Sequence, residues 1–232
     1  MEKANVSPLR IGIESAKANA VPMVVLWCVA VATVAGYYSV SWFTNFLEPL
    51  AKWQRDNGAV AAFLSIAFFC GVVPGLFMCF VKSLRPRRAL ATVGVMTVWC
   101  GLWGIVNNWM YEFLHWWFGG GRDLVTLIQK TAFDQFIWTV FLVAPLNAVF
   151  CFWLGRDLSF ARTRSEWPRD YVRDVLMPNL LANWIVWIPV LCAVFAFPLP
   201  LQIHLAGLAS SFWTLMSLQI GKRSAVPLNE GE

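Results

Sequence analysis

The chain has 232 residues, of which 59% are apolar and only 13% charged, and its formal net charge is +5. A typical soluble domain has about 25% charged residues, so this composition excludes an ordinary soluble enzyme. The basic residues are spread over several segments rather than clustered, which gives no sign of nucleic-acid binding. The expected partner is therefore the lipid bilayer, whose anionic headgroups attract such segments.

Six apolar runs predict an all-α, polytopic membrane bundle of about six transmembrane helices. The last two runs come from one uncharged stretch that is too long for a single helix, and Pro198 and Pro200 divide it. We number the predicted helices spans 1 to 6, and they lie within residues 20–47, 57–81, 89–111, 131–155, 175–196 and 201–220.

The segments before, between and after the spans predict the topology. In chain order they hold 3, 2, 4, 2, 5, 0 and 2 basic residues, so that 14 of the 18 Lys and Arg fall in the odd-numbered segments. Basic residues accumulate on the inner side of a membrane. We therefore expect both termini on that inner side, and one membrane domain without a separate soluble module.

Small and polar residues recur along one face of span 3. Gly101, Gly104 and Asn108 follow one another at intervals of three or four residues, which places them on the same side of a helix. Small residues let a second helix approach closely in lipid. Two interpretations stay open, a packing seam and a stripe that lines a pore.

Polar side chains inside the other spans are further candidates. Asp134 is the only acidic residue within a predicted span, and an ionisable group at membrane depth is a candidate for function. It lies near the predicted start of span 4, where a carboxylate also serves as a helix N-terminal partner. Gln135, Asn147 and Asn183 either line a solute path with it or form hydrogen bonds between helices.

The sequence offers no catalytic or metal-binding constellation. Its six cysteines form no C-x-x-C pair, it has only two histidines, and no nucleophile–base pair or catalytic carboxylate pair is evident. We expect no cofactor, no metal and no enzymatic activity.

Several motifs resemble those of the Mpv-17 and peroxisomal membrane protein family. The stretch 183–189 has the N-W-x-V-W-x-P pattern, and Pro198 and Trp213 fall where that family has a later proline and a closing tryptophan. The Asp134-Gln135 pair, with a proline following it in the same span, is similar to a further family motif. The motif residues in and after the first pattern are Trp184, Trp187, Pro189, Pro198 and Trp213.

The resemblance covers about residues 57–223. It implies an N-terminal extension with an extra transmembrane helix over residues 1–56, and a polar tail over residues 224–232. Family members are small multi-spanning proteins of mitochondrial inner and peroxisomal membranes. The expected localisation is such an organelle membrane, or a bacterial inner membrane.

Some family members are described as weakly selective channels. The resemblance therefore implies a small, non-selective or weakly selective channel for small solutes or ions that affects membrane homeostasis. Leu191, Val194 and Thr214 stand where the family pattern has polar residues, and this favours the alternative, a non-conducting structural or interaction protein of a membrane complex. Homo-oligomerisation stays open.

Overall fold

A computed structural model describes residues 20–81 and 86–223, and every regular element in this part of the chain is helical. The predicted tail 224–232, residues 1–19 and two bases of the third segment, Lys82 and Arg85, lie outside the described residues. The α-helices are α1 (Ala20–Ser39), α2 (Ser41–Ile66), α3 (Val73–Phe80), α4 (Ala89–Phe118), α5 (Leu124–Ala132), α6 (Ala144–Leu154), α7 (Phe160–Ser165), α8 (Met177–Phe195) and α9 (Leu199–Arg223).

Three helical stretches are long and apolar enough to cross a membrane. They are Ser41–Phe80, Ala89–Phe118 and Leu124–Leu154, and they correspond to predicted spans 2, 3 and 4. Two shorter apolar helices, Met23–Ser39 and Asn179–Phe195, correspond to spans 1 and 5. The predicted break between spans 5 and 6 is confirmed, because α8 ends at Phe195 and α9 begins at Leu199.

Three π-helical segments each lie immediately before an α-helix whose second residue is proline. The segments are Ala67–Val72, Phe133–Val143 and Val172–Leu176, and they precede α3, α6 and α8. A proline lacks the amide donor and clashes with the carbonyl four residues earlier, and a wider turn relieves that clash. In span 2 the helix therefore widens into a π-helical segment ahead of Pro74.

The helix of span 1 lies within its predicted range and ends before residue 47, because Val40 is extended and Ser41 starts α2. The predicted start of span 4 is wrong. Span 4 does not begin at residue 131, because α5 begins at Leu124 with Asp123 as its N-cap. The side chain of Asp123 accepts a hydrogen bond from the amide of Thr126 at 3.0 Å, so the helix begins seven residues earlier than the apolar run.

The long helix Ser41–Phe80 bends near its middle. Gly58 has a φ of 47° inside it, a left-handed conformation that favours glycine. The part before Gly58 carries exposed charges, including an ion pair between Arg55 and Glu48 at 2.5 Å. The part after Gly58 is apolar and matches predicted span 2.

The core forms where α4 packs antiparallel against the second part of the Ser41–Phe80 helix and α9 covers both. Its buried centre includes Ala62, Ile66, Leu114, Val190 and Ile203. The expected N-terminal extension also belongs to this bundle, because α1 lies along α8. The indole of Trp27 donates to the Val186 carbonyl at 3.1 Å, and the Tyr38 hydroxyl donates to the Ala196 carbonyl at 2.7 Å.

Candidate functional site: a buried polar cluster and a basic cavity

Asp134 lies well inside a helix rather than at its start. It is the second residue of the Phe133–Val143 π-helical segment, ten residues after the first residue of α5, and only 6% exposed. The expectation that it caps the helix is therefore wrong, because Asp123 has that role. Its Oδ1 accepts hydrogen bonds from Gln135 Nε2 at 2.8 Å and from the Thr139 hydroxyl at 3.4 Å.

Gln135 joins this carboxylate to the neighbouring helix α8. Its side-chain oxygen accepts a hydrogen bond from Asn183 Nδ2 at 2.9 Å, and its backbone carbonyl accepts one from the Trp184 indole at 3.0 Å. Two motifs that were picked out separately in the sequence are therefore in direct contact. We call the five residues Asp134, Gln135, Thr139, Asn183 and Trp184 the polar cluster.

Two asparagines from the candidate set lie away from the polar cluster. The side-chain oxygen of Asn147 accepts a hydrogen bond from the Trp99 indole at 3.0 Å. That of Asn108 accepts one from Gln54 at 2.9 Å, while its amide donates to Glu112 at 2.8 Å. Each asparagine thus connects helices elsewhere in the bundle.

The small residues of the α4 seam lie directly against the second helix. A Cβ added to Gly104 would lie 2.5 Å from the Ala62 carbonyl oxygen, and one added to Gly101 would lie 2.5 Å from the Phe63 ring. Both glycines are buried. The seam is closed here by helix packing, which matches the first of its two interpretations at these positions.

The remaining motif residues are spread along α8 and α9. Trp187 is half-buried and packs against the core, whereas Pro189 is exposed within α8. Pro198 lies in the turn between α8 and α9, and Trp213 is half-buried on α9. Of these residues, only Pro198 lines the cavity described next.

A cavity of about 280 Å³ opens at the end of the bundle where α1, α4 and α8 end and where α5 and α9 begin. The turn between α8 and α9 supplies an apolar wall that includes Phe195 and Phe197. Its polar lining residues are Tyr37, Tyr38, His115, Arg122, Lys130 and Gln202. We call it the basic cavity, because no acidic side chain is among the described residues that line it.

Lys130 is the least expected residue of the basic cavity. It is only 2% exposed, and the described part of the chain gives it neither an ion-pair partner nor a hydrogen bond. It precedes Asp134 by four residues, so it lies about one turn nearer the cavity on the same side of the helix. The apolar-run criterion placed Lys130 in a loop, and the signal that was missed is the Asp123-x-x-Thr126 N-cap.

The other two basic residues lie near the mouth of the cavity. The guanidinium carbon of Arg122 lies 4.5 Å from the centre of the Tyr38 ring, a cation–π arrangement. The His115 ring packs over Gly120, where an added Cβ would lie 2.7 Å from its Cε1. The adjacent acid, Asp123, caps the start of α5. Hydrogen bonds from the Thr126 amide and hydroxyl lower the pKa of its carboxyl.

A buried histidine–serine pair was also noticed only in the structure. Ser65 Oγ and His204 Nδ1 lie 2.7 Å apart, and the Trp53 ring stacks on the imidazole at 5.8 Å between centroids. In the described residues, His204 Nε2 has no hydrogen-bond partner and no acid contacts the pair. The pair connects α2 to α9. A search of the same residues also finds no group of three His, Cys, Asp or Glu side chains suited to a metal ion.

Comparison with protein-family models, with curated proteins and with solved structures finds no match to this chain. Two features of the chain itself bear on its function. The basic cavity can hold a negatively charged group, and the polar cluster offers hydrogen-bonding groups one turn deeper in the bundle.

Proposed function

We propose that the chain is an integral membrane protein that lets small solutes or ions pass, with six transmembrane helices and both termini on the inner side. The observation that carries the proposal is a continuous polar face on the helix Leu124–Leu154. Lys130, Asp134, Gln135 and Thr139 follow one another along it, from the basic cavity into the bundle, and all are buried. A narrow path between this helix and α8 would be lined by these groups.

The contacts at the two ends of the bundle support the proposed topology. Arg87, from the third segment, lies 3.9 Å from Asp157 of the fifth, so these two strongly basic segments share one end. At the other end, the Tyr38 hydroxyl donates to the Ala196 carbonyl, and the basic cavity is lined by the end of α1 and by residues of the fourth and sixth segments. Segments with few bases thus lie together, as alternate crossing requires.

Membership of the Mpv-17 and peroxisomal membrane protein family is part of the same proposal. Its support is the contact between two motif segments that are far apart in the sequence. Gln135 bonds both Asn183 and Trp184, so the motifs that resemble the family's also build one structural unit. An organelle membrane such as the mitochondrial inner or the peroxisomal membrane is the localisation that this resemblance implies.

Reconstitution of the pure protein into liposomes tests the passage of solutes. We expect release of a small entrapped solute above that of empty liposomes, and a current across planar bilayers under a KCl gradient. Charged side chains in a path set ion selectivity, so Asp134→Asn should shift the reversal potential towards the anion's. Asparagine keeps an acceptor oxygen for the polar cluster, which preserves the fold.

The matched control for this experiment is Thr33→Val. Thr33 is a polar residue of α1 whose hydroxyl donates to Val29 of its own helix at 2.7 Å, away from the proposed path. We expect this variant to conduct as the wild type does. Absence of any leak above that of empty liposomes would refute the proposal. Equal reversal potentials for Asp134→Asn and the wild type would show that Asp134 does not line the path.

A second candidate function is a non-conducting structural or interaction role in a membrane complex. The observation that favours it is that the polar cluster is internally hydrogen-bonded and that Gly101 and Gly104 are closed against the second helix. The same liposomes separate the two functions. Well-folded protein that leaves every liposome sealed, across solutes of both charges, would favour the structural role.

A further inference from the structure

The basic cavity gathers three basic side chains in one small, partly enclosed space. Lys130, Arg122 and His115 come from α5, the connection before it and the end of α4. We propose that this cavity is a binding site for a small anion that carries a carboxylate or phosphate group. The inference deepens the proposed function, because it names the class of solute received at one end of the path, and it rests on that function only for the solute's later passage.

Lys130 gives the strongest reason for a negatively charged ligand. Its side chain is 2% exposed, lines the cavity, and lacks a carboxylate or hydrogen-bond acceptor among the described residues. Burying an ammonium group without a partner is costly. A ligand that brings an anionic oxygen into the cavity would supply the missing partner and form a charge-assisted hydrogen bond.

The other polar groups of the cavity separate into used and unused donors. The Tyr38 hydroxyl already donates to the Ala196 carbonyl, and the Gln202 amide donates to the Phe197 carbonyl at 2.8 Å. Arg122 and His115 have no ion pair in the described chain. The donors left without a hydrogen-bond partner among the described residues are the Tyr37 hydroxyl and the basic side chains, and the basic ones favour a ligand that carries negative charge.

Nearby acids do not neutralise the cavity. Asp123 follows Arg122 directly, but it is exposed and its two carboxylate oxygens accept hydrogen bonds from the Thr126 amide and hydroxyl at 3.0 and 2.7 Å. Glu112, on α4, accepts a hydrogen bond from Asn108 at 2.8 Å. Neither acid is among the lining residues, so the basic side chains of the cavity remain available to a ligand.

The cavity volume limits the size of that ligand. Pockets for drug-sized molecules measure about 300–1,000 Å³, and this one is about 280 Å³. Inorganic phosphate or a short dicarboxylate is small enough for this cavity, and so is the headgroup of an anionic lipid whose chains remain in the bilayer. The shared chemistry is an anionic oxygen facing Lys130.

Binding to the purified protein in a neutral detergent tests the site without any transport. Isothermal titration would use three probes at matched ionic strength: sodium phosphate, sodium succinate and a short-chain phosphatidic acid, with sodium chloride as the background salt. We expect saturable binding of at least one probe. Binding of the soluble ions assigns a free solute, whereas binding of the lipid alone assigns a headgroup, and both results support the site.

Three variants decide whether the binding occurs at this cavity. Lys130→Met keeps the length and apolar character of the side chain and should weaken binding about 10-fold or more, the loss expected for one charge-assisted hydrogen bond. Arg122→Gln, at an exposed position, should weaken binding by a smaller factor. The control is Lys52→Gln, an exposed base that does not line the cavity, and it should bind as the wild type does.

The outcomes separate this inference from the proposed function. The inference is overturned if no probe binds the wild type, or if Lys130→Met and Arg122→Gln both bind as tightly as Lys52→Gln. Anion binding together with sealed liposomes would leave the site standing and reject passage of solutes. Solute flux without anion binding would support the passage of solutes and reject the binding site.

Discussion

A single methyl group on the α4 seam should separate two helices. In Gly104→Ala the new Cβ would lie 2.5 Å from the Ala62 carbonyl oxygen and 2.9 Å from Ile66 Cβ. The first of these atoms belongs to the backbone of the second helix, so it cannot rotate away. In Gly94→Ala, on the same helix, the new Cβ would meet nothing within 4 Å. The two substitutions are chemically identical and differ only in what the methyl group contacts.

The magnitude follows from two opposing effects. Alanine in a helix interior is favoured over glycine by roughly 0.5–1 kcal/mol, and this gain applies to both variants. Inserting a methyl group into a well-packed interface costs about 1–3 kcal/mol, and this cost applies only to Gly104→Ala. We therefore expect the free energy of unfolding of Gly104→Ala to be about 1–3 kcal/mol below that of Gly94→Ala, and that of Gly94→Ala to lie slightly above the wild type's.

Unfolding by sodium dodecyl sulfate in mixed micelles measures this difference. Loss of helical circular dichroism would be followed for the wild type and both variants, and the free energies compared at one detergent composition. The prediction fails if the two variants have the same stability within about 0.3 kcal/mol. Equal stability would mean that the Gly104 face is open, as a pore-lining stripe would be, and Gly104→Ala should then alter solute flux instead.

Three further predictions concern the interhelical bonds, the N-cap and the topology. Asn183→Ala removes a hydrogen bond between helices and should cost about 0.6–1.7 kcal/mol in the same titration, whereas Asn179→Ala, whose amide bonds its own helix, should cost clearly less; equal losses would contradict the contact. The Asp123 cap lowers the carboxyl's pKa, so it stabilises the fold above pH about 4 and loses this effect below it; the melting-temperature deficit of Asp123→Ala should shrink as the pH falls, and a constant deficit would refute this. Cysteines introduced by Arg87→Cys and Arg164→Cys should label from the same side of sealed vesicles, and opposite sides would refute the topology.

Most of the order of the helices could be predicted from the distribution of charged residues and prolines. The break between α8 and α9 follows from Pro198 and Pro200, because proline cannot continue the hydrogen-bonded ladder of a helix. The boundary at Leu124 could not be found this way, since Lys130 interrupts the apolar run although it is inside the helix. Charge marks the end of an apolar stretch, but a helix begins where its first amides find a cap, and here that cap is Asp123.

The candidate site could be predicted only in part. Asp134, Gln135 and Asn183 were identified by polarity and motif, and the structure brings them together. Asn108 and Asn147 were selected by the same criterion, yet each bonds a different neighbour. Composition identifies which groups need a partner in lipid, whereas the rotation of each helix about its axis, altered here by the π-helical segment, decides which partner each group meets.

The stability of Lys130→Met distinguishes an anion-binding site from a structural ion pair between Lys130 and Asp134. They lie four residues apart on one helix and both are buried, yet no ion pair of 4 Å or less joins them in the described chain. If Lys130 were part of a structural pair, removing its charge would leave a buried carboxylate unpaired and cost about 3–5 kcal/mol. If Lys130 instead binds an anion, Lys130→Met should leave the anion-free protein at least as stable as the wild type. The reason is that an apolar group of similar length replaces a buried charge without a partner. An anion that binds the wild type should then stabilise it more than it stabilises Lys130→Met. A large loss of stability in anion-free buffer would assign Lys130 to the fold and leave the basic cavity without its central charge.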